Sequence, residues 1–229
     1  MTRYDADFDR VQGLTWQPWV GQNFPERSPH QRLLVVGESH YFRGNTPELR
    51  QANRESYLDP KSTRNQVLGA LVNHEWEGGN KTLDTIPQLL FDTTDIDHSR
   101  LWADSAYYNF VQRPMNYFEN EKPTDTDFVA GWGVFADVVR IMQPSHCLFI
   151  GVSAANFCNL GNVTKHEKVD GVWPRIAKLE LVGATSELVF VHHLARCQRV
   201  DQWHAYLQTQ HPNLMSWLGA ELYANSRND

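Results

Sequence analysis

Arg32-Leu33-Leu34-Val35-Val36-Gly37-Glu38-Ser39-His40-Tyr41-Phe42 (RLLVVGESHYF) runs four consecutive apolar residues straight into a glycine and a group of functional side chains. The apolar run is rich in β-branched residues and has no polar alternation. It predicts a strand covered on both faces, as in a parallel sheet beneath helices. Gly37 lets the backbone turn sharply or lie close to a ligand. Glu38, Ser39, His40 and Tyr41 then fall where open α/β sheets place their ligands, outside the carboxyl ends of the strands. The plainer alternative is an ordinary strand-to-loop turn whose polar residues face water.

Working outward, residues 1–31 carry Trp16, Trp19, Val20 and Phe24 among polar residues and prolines. They predict a lead-in without long regular structure that anchors its aromatics on the core, or offers them as a platform for a base. Residues 47–75 predict helix, started by Pro47-Glu48 and broken at Asp59-Pro60, with Val67, Leu68, Leu71 and Val72 as the apolar stripe. Gly78-Gly79-Asn80 is turn chemistry before a short helix over residues 85–91. Residues 106–111 read as a second strand, ended by Gln112-Arg113-Pro114. Thr124 and Asp127 stand at capping-box spacing, and Phe128, Trp132, Phe135, Val139 and Met142 then recur every three or four residues, which predicts a helix with one buried face, stopped by Pro144.

Residues 146–151 form a third expected strand, again ending in glycine, and Ser153 opens a helix. Residues 161–175 read as polar loop, and residues 178–182 as a short edge strand. Leu188-Val189-Phe190-Val191 is the fourth strand and leads into His192-His193-Leu194-Ala195-Arg196. Trp203, Tyr206 and Leu207, then Leu214, Trp217, Leu218 and Leu222, fall on two closing helices separated by Pro212. This alternation predicts an α/β fold, a three-layer α/β/α sandwich with a mainly parallel central sheet of about four strands. Right-handed crossovers would gather the carboxyl ends of the strands, and with them Glu38, Asn109, Gly151 and His193, on one edge.

The chain of 229 residues is long enough for one well-cored domain over residues 1–229. Its apolar content of 41% and charged content of 21% are those of a globular protein. The net charge of −6 argues against bulk electrostatic attraction to nucleic acid, while a local basic patch remains open. No apolar run approaches the roughly 20 residues that cross a bilayer, and the first residues lack a signal-peptide pattern, so the expectation is a cytoplasmic protein with no membrane partner. Cys147, Cys158 and Cys197 show no paired spacing, and buried thiols are expected. His40, Glu38 and the His192-His193 pair have no metal-ligand spacing, so neither a metal nor another cofactor is expected.

Gly37-Glu38-Ser39-His40-Tyr41-Phe42, Asn109 followed by Lys122-Pro123-Thr124, and His193-Leu194-Ala195 after an apolar strand together resemble the uracil-DNA glycosylase superfamily over roughly residues 30–210. In that superfamily, motifs at the ends of the first, second and last strands build a base pocket. The first motif reads Gly-Gln-Asp-Pro-Tyr-His in one branch and Gly-Glu-Ala-Pro-Gly in another, the middle element is an Asn at a strand end, and the last is His-Pro-Ser. The resemblance implies a uracil-DNA glycosylase-like domain with DNA as partner and hydrolysis of the N-glycosidic bond of uracil or a related damaged base.

The same resemblance implies roles for individual residues. His193 would donate to the charge developing on the departing base, and Glu38 would orient water or stabilise the sugar cation. Asn109 would read a pyrimidine edge, with Gly37, Ser39 and Tyr41 lining the base pocket, Tyr41 where a thymine methyl would otherwise fit. Arg196 and Arg199 would meet phosphate. The chain departs from the family where Ser39 stands for the water-directing Asp, His40 for a Pro and Leu194-Ala195 for Pro-Ser, and it lacks the iron–sulfur cysteines of the Glu-containing branch. Two other readings stand beside this one: a module on the same fold that binds a nucleobase or nucleic acid without cutting, and a small-molecule hydrolase using Ser39-His40. The G-x-S-x-G elbow of a serine nucleophile is absent.

Overall fold

The computed structural model describes residues 2–42, 44, 46–69 and 81–219. Their strands are β1 (Trp19–Val20), β2 (Leu33–Gly37), β3 (Tyr41–Phe42), β4 (Ala106–Asn109), β5 (Met115–Asn116), β6 (His146–Ile150), β7 (Val163–Lys165), β8 (Arg175–Leu181) and β9 (Ala184–Val191). Their helices are α1 (Asp5–Phe8), α2 (Pro47–Ser56), α3 (Ser62–Val67), α4 (Lys81–Phe91), α5 (His98–Asp104), α6 (Asp125–Met142), α7 (Val200–Gln210) and α8 (Pro212–Leu218). Leu71, Val72, Gly78-Gly79-Asn80 and Leu222 lie outside the described residues.

The main sheet has seven strands in the order β1-β4-β2-β6-β9-β8-β7. Its centre is a parallel block, β4-β2-β6-β9, made of the four strands expected from the apolar runs. The expected count of about four is therefore too low. The extra strands are those with little apolar signal. β1 has only two residues and adds antiparallel to β4. β7 pairs its backbone with β8 through the polar stretch Val163-Thr164-Lys165, within residues expected to be loop. β8 consequently lies inside the sheet, between β7 and β9, rather than at its edge. It joins β9 through Val182-Gly183, where Gly183 takes φ +81° as a tight hairpin turn requires.

Alternation along the central strands divides the core between two faces. Leu34 and Val36 join Tyr108, Phe149 and Phe190 beneath α6, whose Trp132, Phe135 and Val139 are buried there. Leu33 and Val35 join Leu148, Ile150, Val189 and Val191 beneath α4, α5, α7 and α8. Helices thus cover both faces of a mixed α/β sheet, as the unbroken apolar run of β2 requires.

The expected lead-in holds as an anchor, since Trp16 and Phe24 are fully buried. Of the predicted helical stripe, Val67 is buried and Leu68 exposed. Helix α4, Lys81–Phe91, is already formed before its expected start at Thr85 and contains Pro87. The helix expected at Ser153 is a single 3-10 turn, Ala154–Phe157.

Helix α6 is held at both ends. Thr124 Oγ1 accepts from Asp127 N–H at 3.3 Å while Thr124 N–H donates to Asp127 Oδ2 at 2.7 Å, completing the capping box. Asp127 also accepts from Arg113 at 2.7 and 2.8 Å, and this hydrogen bonding, against some burial, holds its carboxyl at a pKa of about 2. At the other end Gln143 turns left-handed, φ +51°, and Pro144 prevents continuation. Thr124→Ala removes one half of the capping box, and urea unfolding should show a loss of about 1 kcal/mol with an unchanged m-value.

Candidate functional site

The register of the parallel block sets the site. Gly37 pairs with Asn109 and Ile150 with Val191, so β2, β4, β6 and β9 end on one edge. The segment after β2 is stitched to the segment after β4 by three backbone hydrogen bonds: Phe110 N–H to Gly37 O, Val111 N–H to Glu38 O and Met115 N–H to His40 O, at 2.8–2.9 Å. The small β3-β5 sheet, pairing Tyr41 with Met115, continues that seam.

Between the ends of β2 and β6 is a small recess of about 10 Å³, lined by Gly37, Glu38, Phe110, Phe128, Phe149 and Gly151 among others. Gly151 has φ +138°, and a Cβ built on it would lie 3.6 Å from Glu38 Oε2. The end of β6 therefore leaves the carboxylate open space where another residue would place a side chain. Burial pushes the Glu38 pKa up, opposed by the positive charges of Arg196 and Lys122 and a hydrogen bond with Ser153. His193, at the end of β9, is also set in, and its pKa falls to about 4, first through burial and then through Arg196, His192 and Lys122. Its Nδ1 is buried with no hydrogen-bond partner. Tyr41 belongs to the same field: burial raises its pKa, and Glu38 and Arg196 act on it with opposite signs.

Glu38, Tyr41, His193 and Arg196 are thus brought together, with Lys122 and Ser153, over an aromatic recess. An acid or base of raised pKa, a neutral imidazole and two cations can move a proton and hold a developing negative charge. Lys122 and Ser153 were not singled out as site residues from the sequence. Their one signal was position, each just before a helix start at the same edge of the sheet.

Other expected residues sit differently. Asn109 is 2% exposed, and its carboxamide is engaged on both sides: Tyr107 Oη donates to Oδ1 at 3.2 Å, and Nδ2 donates to His40 Nε2 at 3.0 Å. Gly37 makes room for this, since a Cβ there would lie 2.2 Å from Tyr107 Oη and 2.6 Å from Asn109 Oδ1. His40 is 1% exposed, bonded through Nε2 to Thr63 Oγ1 at 2.9 Å and enclosed by Trp16 and Tyr57. Ser39 Oγ is buried beside the Tyr41 hydroxyl, and His40 Nε2 is taken by Thr63 and Asn109, so Ser39 and His40 do not form a nucleophile and base. Arg199 pairs with Asp201 at 3.0 Å on the exposed start of α7, whereas Arg196 has no ion pair among the described residues. Cys147 and Cys197 are buried and Cys158 half-buried, all as free thiols.

A scan against models of known protein families finds no match, and a search of curated proteins finds no significant similarity. Among the described residues no helix is long and apolar enough to cross a membrane.

Two measurements test this geometry. Burial lowers the His40 pKa from 6.5 to about 3, so the unfolded chain binds a proton that the folded chain refuses between those values. His40 thus contributes stability that is full above pH 6.5 and is lost as pH falls toward 3, on the order of a few kcal/mol. Urea midpoints recorded across that range should fall with pH, and His40→Gln should flatten the dependence; an unaltered slope would assign it elsewhere. Asn109→Leu leaves Tyr107 Oη without its partner, while His40 Nε2 keeps Thr63 Oγ1, and should cost about 1–3 kcal/mol for the orphaned hydroxyl, read from the same unfolding curves.

Proposed function

We propose that the chain is a hydrolase of N-glycosidic bonds with a uracil-DNA glycosylase-like fold, acting on a base turned out of a DNA strand. The observation that carries this reading is that Glu38 and His193, at the ends of β2 and β9, both lie in the field of Arg196 and Lys122 at one edge of the parallel block. Supporting it, the segments that resemble the superfamily's motifs follow β2, β4 and β9, the first, second and last strands of that block.

In this reading Glu38, with its raised pKa, draws a proton from the attacking water or faces the cationic sugar as its bond to the base breaks. His193, neutral at pH 7, donates a hydrogen bond to the base as negative charge gathers on its carbonyl. Arg196 and Lys122 supply positive charge at the mouth of an otherwise acidic chain, where a phosphate backbone would pass. Phe110, Phe128 and Phe149 give the small recess apolar walls, which would have to part to admit a base. Asn109, with its carboxamide already shared between Tyr107 and His40, acts here as a scaffold for the loop rather than as the reader of the base edge.

That last observation favours a second reading on the same site, a module that holds a base without cutting it. Incubating a labelled single-stranded oligonucleotide carrying one uracil with the chain, followed by alkali, separates the two. Strand scission that drops by about 100-fold or more in Glu38→Ala and His193→Ala, both folded by circular dichroism, is the expected result. Retention of the oligonucleotide on the protein with no scission, across uracil and other modified bases, would select the binding module.

A further inference from the structure

Beside His193, around the turn that follows β9, three side chains of different chemistry converge. Among the described residues, Asp170, His192 and Cys197 form the one group of three or more potential metal ligands whose donor atoms all lie within 4.8 Å of one another. Asp170 Oδ2 is 4.0 Å from His192 Nδ1 and 4.0 Å from Cys197 Sγ. The backbone presents each ligand from a constrained position. Asp170 and Gly171 take φ +49° and +76°, and Val169 and Val172 exchange N–H···O bonds of 2.9 and 3.0 Å across them, so the carboxylate projects from a tight Asp-Gly turn. His192 and Cys197 flank the 3-10 turn Leu194–Arg196.

His192 Nδ1 is buried and has no hydrogen-bond partner, a lone pair or N–H left unused at a cost in an ordinary packed site. From the described residues, Asp170 Oδ2 receives a weak contact from the Cys197 thiol and a 3.4 Å bond from Gln198 N–H. We propose that Asp170, His192 and Cys197 bind a divalent zinc ion, which clamps the loop between β7 and β8 to the loop that carries His193.

The donor set fits zinc: one thiolate, one imidazole and one carboxylate are borderline-soft ligands, and three protein ligands leave a fourth position for water. Tetrahedral zinc with bonds of about 2.0–2.3 Å needs ligand atoms about 3.3–3.5 Å apart. A closure of about half an ångström or a little more from the observed 4.0 Å, with His192 Nδ1 and Cys197 Sγ approaching from within 4.8 Å, completes it. On binding, the Cys197 S–H proton leaves to solvent and a sulfur–zinc bond forms, while His192 binds as the neutral ring. The site is independent of the glycosidase reading, since none of its three ligands is given a part in bond cleavage.

Full-length protein stripped with a chelator should be titrated with Zn²⁺ against a chromophoric competitor, and with Co²⁺ by absorption spectroscopy. One equivalent of either metal should bind, with a thiolate-to-cobalt charge-transfer band and a rise in melting temperature with Zn²⁺. Cys197→Ser and His192→Gln should each weaken binding by more than about 100-fold, since even groups that only hydrogen-bond to a zinc ligand are worth roughly 10–100-fold. Cys158→Ser should bind as the parent does. Absence of a charge-transfer band, or undiminished binding in folded Cys197→Ser and His192→Gln, would overturn the proposal, as would loss of the band in Cys158→Ser.

Discussion

A buried imidazole kept neutral by its surroundings holds the working edge of this protein together. His40 lies three residues past β2, and its ring reaches Asn109 at the end of β4 and Thr63 in α3. Those two partners come from segments far apart in the chain, and the ring is closed in by Trp16 from the amino-terminal lead-in. A charged ring would have to be desolvated without a counter-ion in this position, which burial forbids. The neutral ring instead offers an acceptor to hydrogen bonds that fix where the segment after β2 can go. The backbone bonds from Phe110, Val111 and Met115 act in the same direction, so Glu38 leaves the sheet on a course set from both sides.

Electrostatics at that edge run against the chain's average. The protein carries a net charge of −6, yet the charges that act on Glu38 are those of Arg196 and Lys122. They arrive from the turn after β9 and from the approach to α6, and they bear on His193 as well. A carboxyl whose pKa is raised by burial and moderated by two cations remains able to exchange a proton, whereas a fully paired one would be fixed in its ionised form. Arg113 with Asp127 and Glu121 illustrates the fixed case: those groups are locked into the start of α6 and serve the architecture.

The sheet beyond β9 carries a different logic. β8 and β9 form a hairpin and β7 extends it, so the loop between β7 and β8 returns to the carboxyl edge of the parallel block. That return brings Asp170 to His192 and Cys197 and sets a second group of polar side chains beside His193. The antiparallel extension is thus what allows one edge of the sheet to hold two chemically distinct neighbourhoods.

Local pattern determined a good deal of this arrangement. Unbroken apolar runs identify β2, β6 and β9, and the spacing of Thr124 and Asp127 with the apolar stripe that follows identifies α6, because burial and capping act over a few residues. The glycines at 37 and 151 and the side chains after each strand mark the edge that carries Glu38 and His193. What only the tertiary structure decided is which side chains are spent on one another. Asn109 and His40, 69 residues apart, satisfy each other in the core, and no spacing rule reports such a pairing. Short polar β7 is a strand because β8 offers it a backbone to pair with, so side-chain composition carried no sign of it. The charge of Lys122 acting on Glu38, and the gathering of Asp170 with His192 and Cys197, follow from where the loops return. Donors, charges and metal ligands act through space over a few ångströms, whereas a sequence orders residues only along the chain.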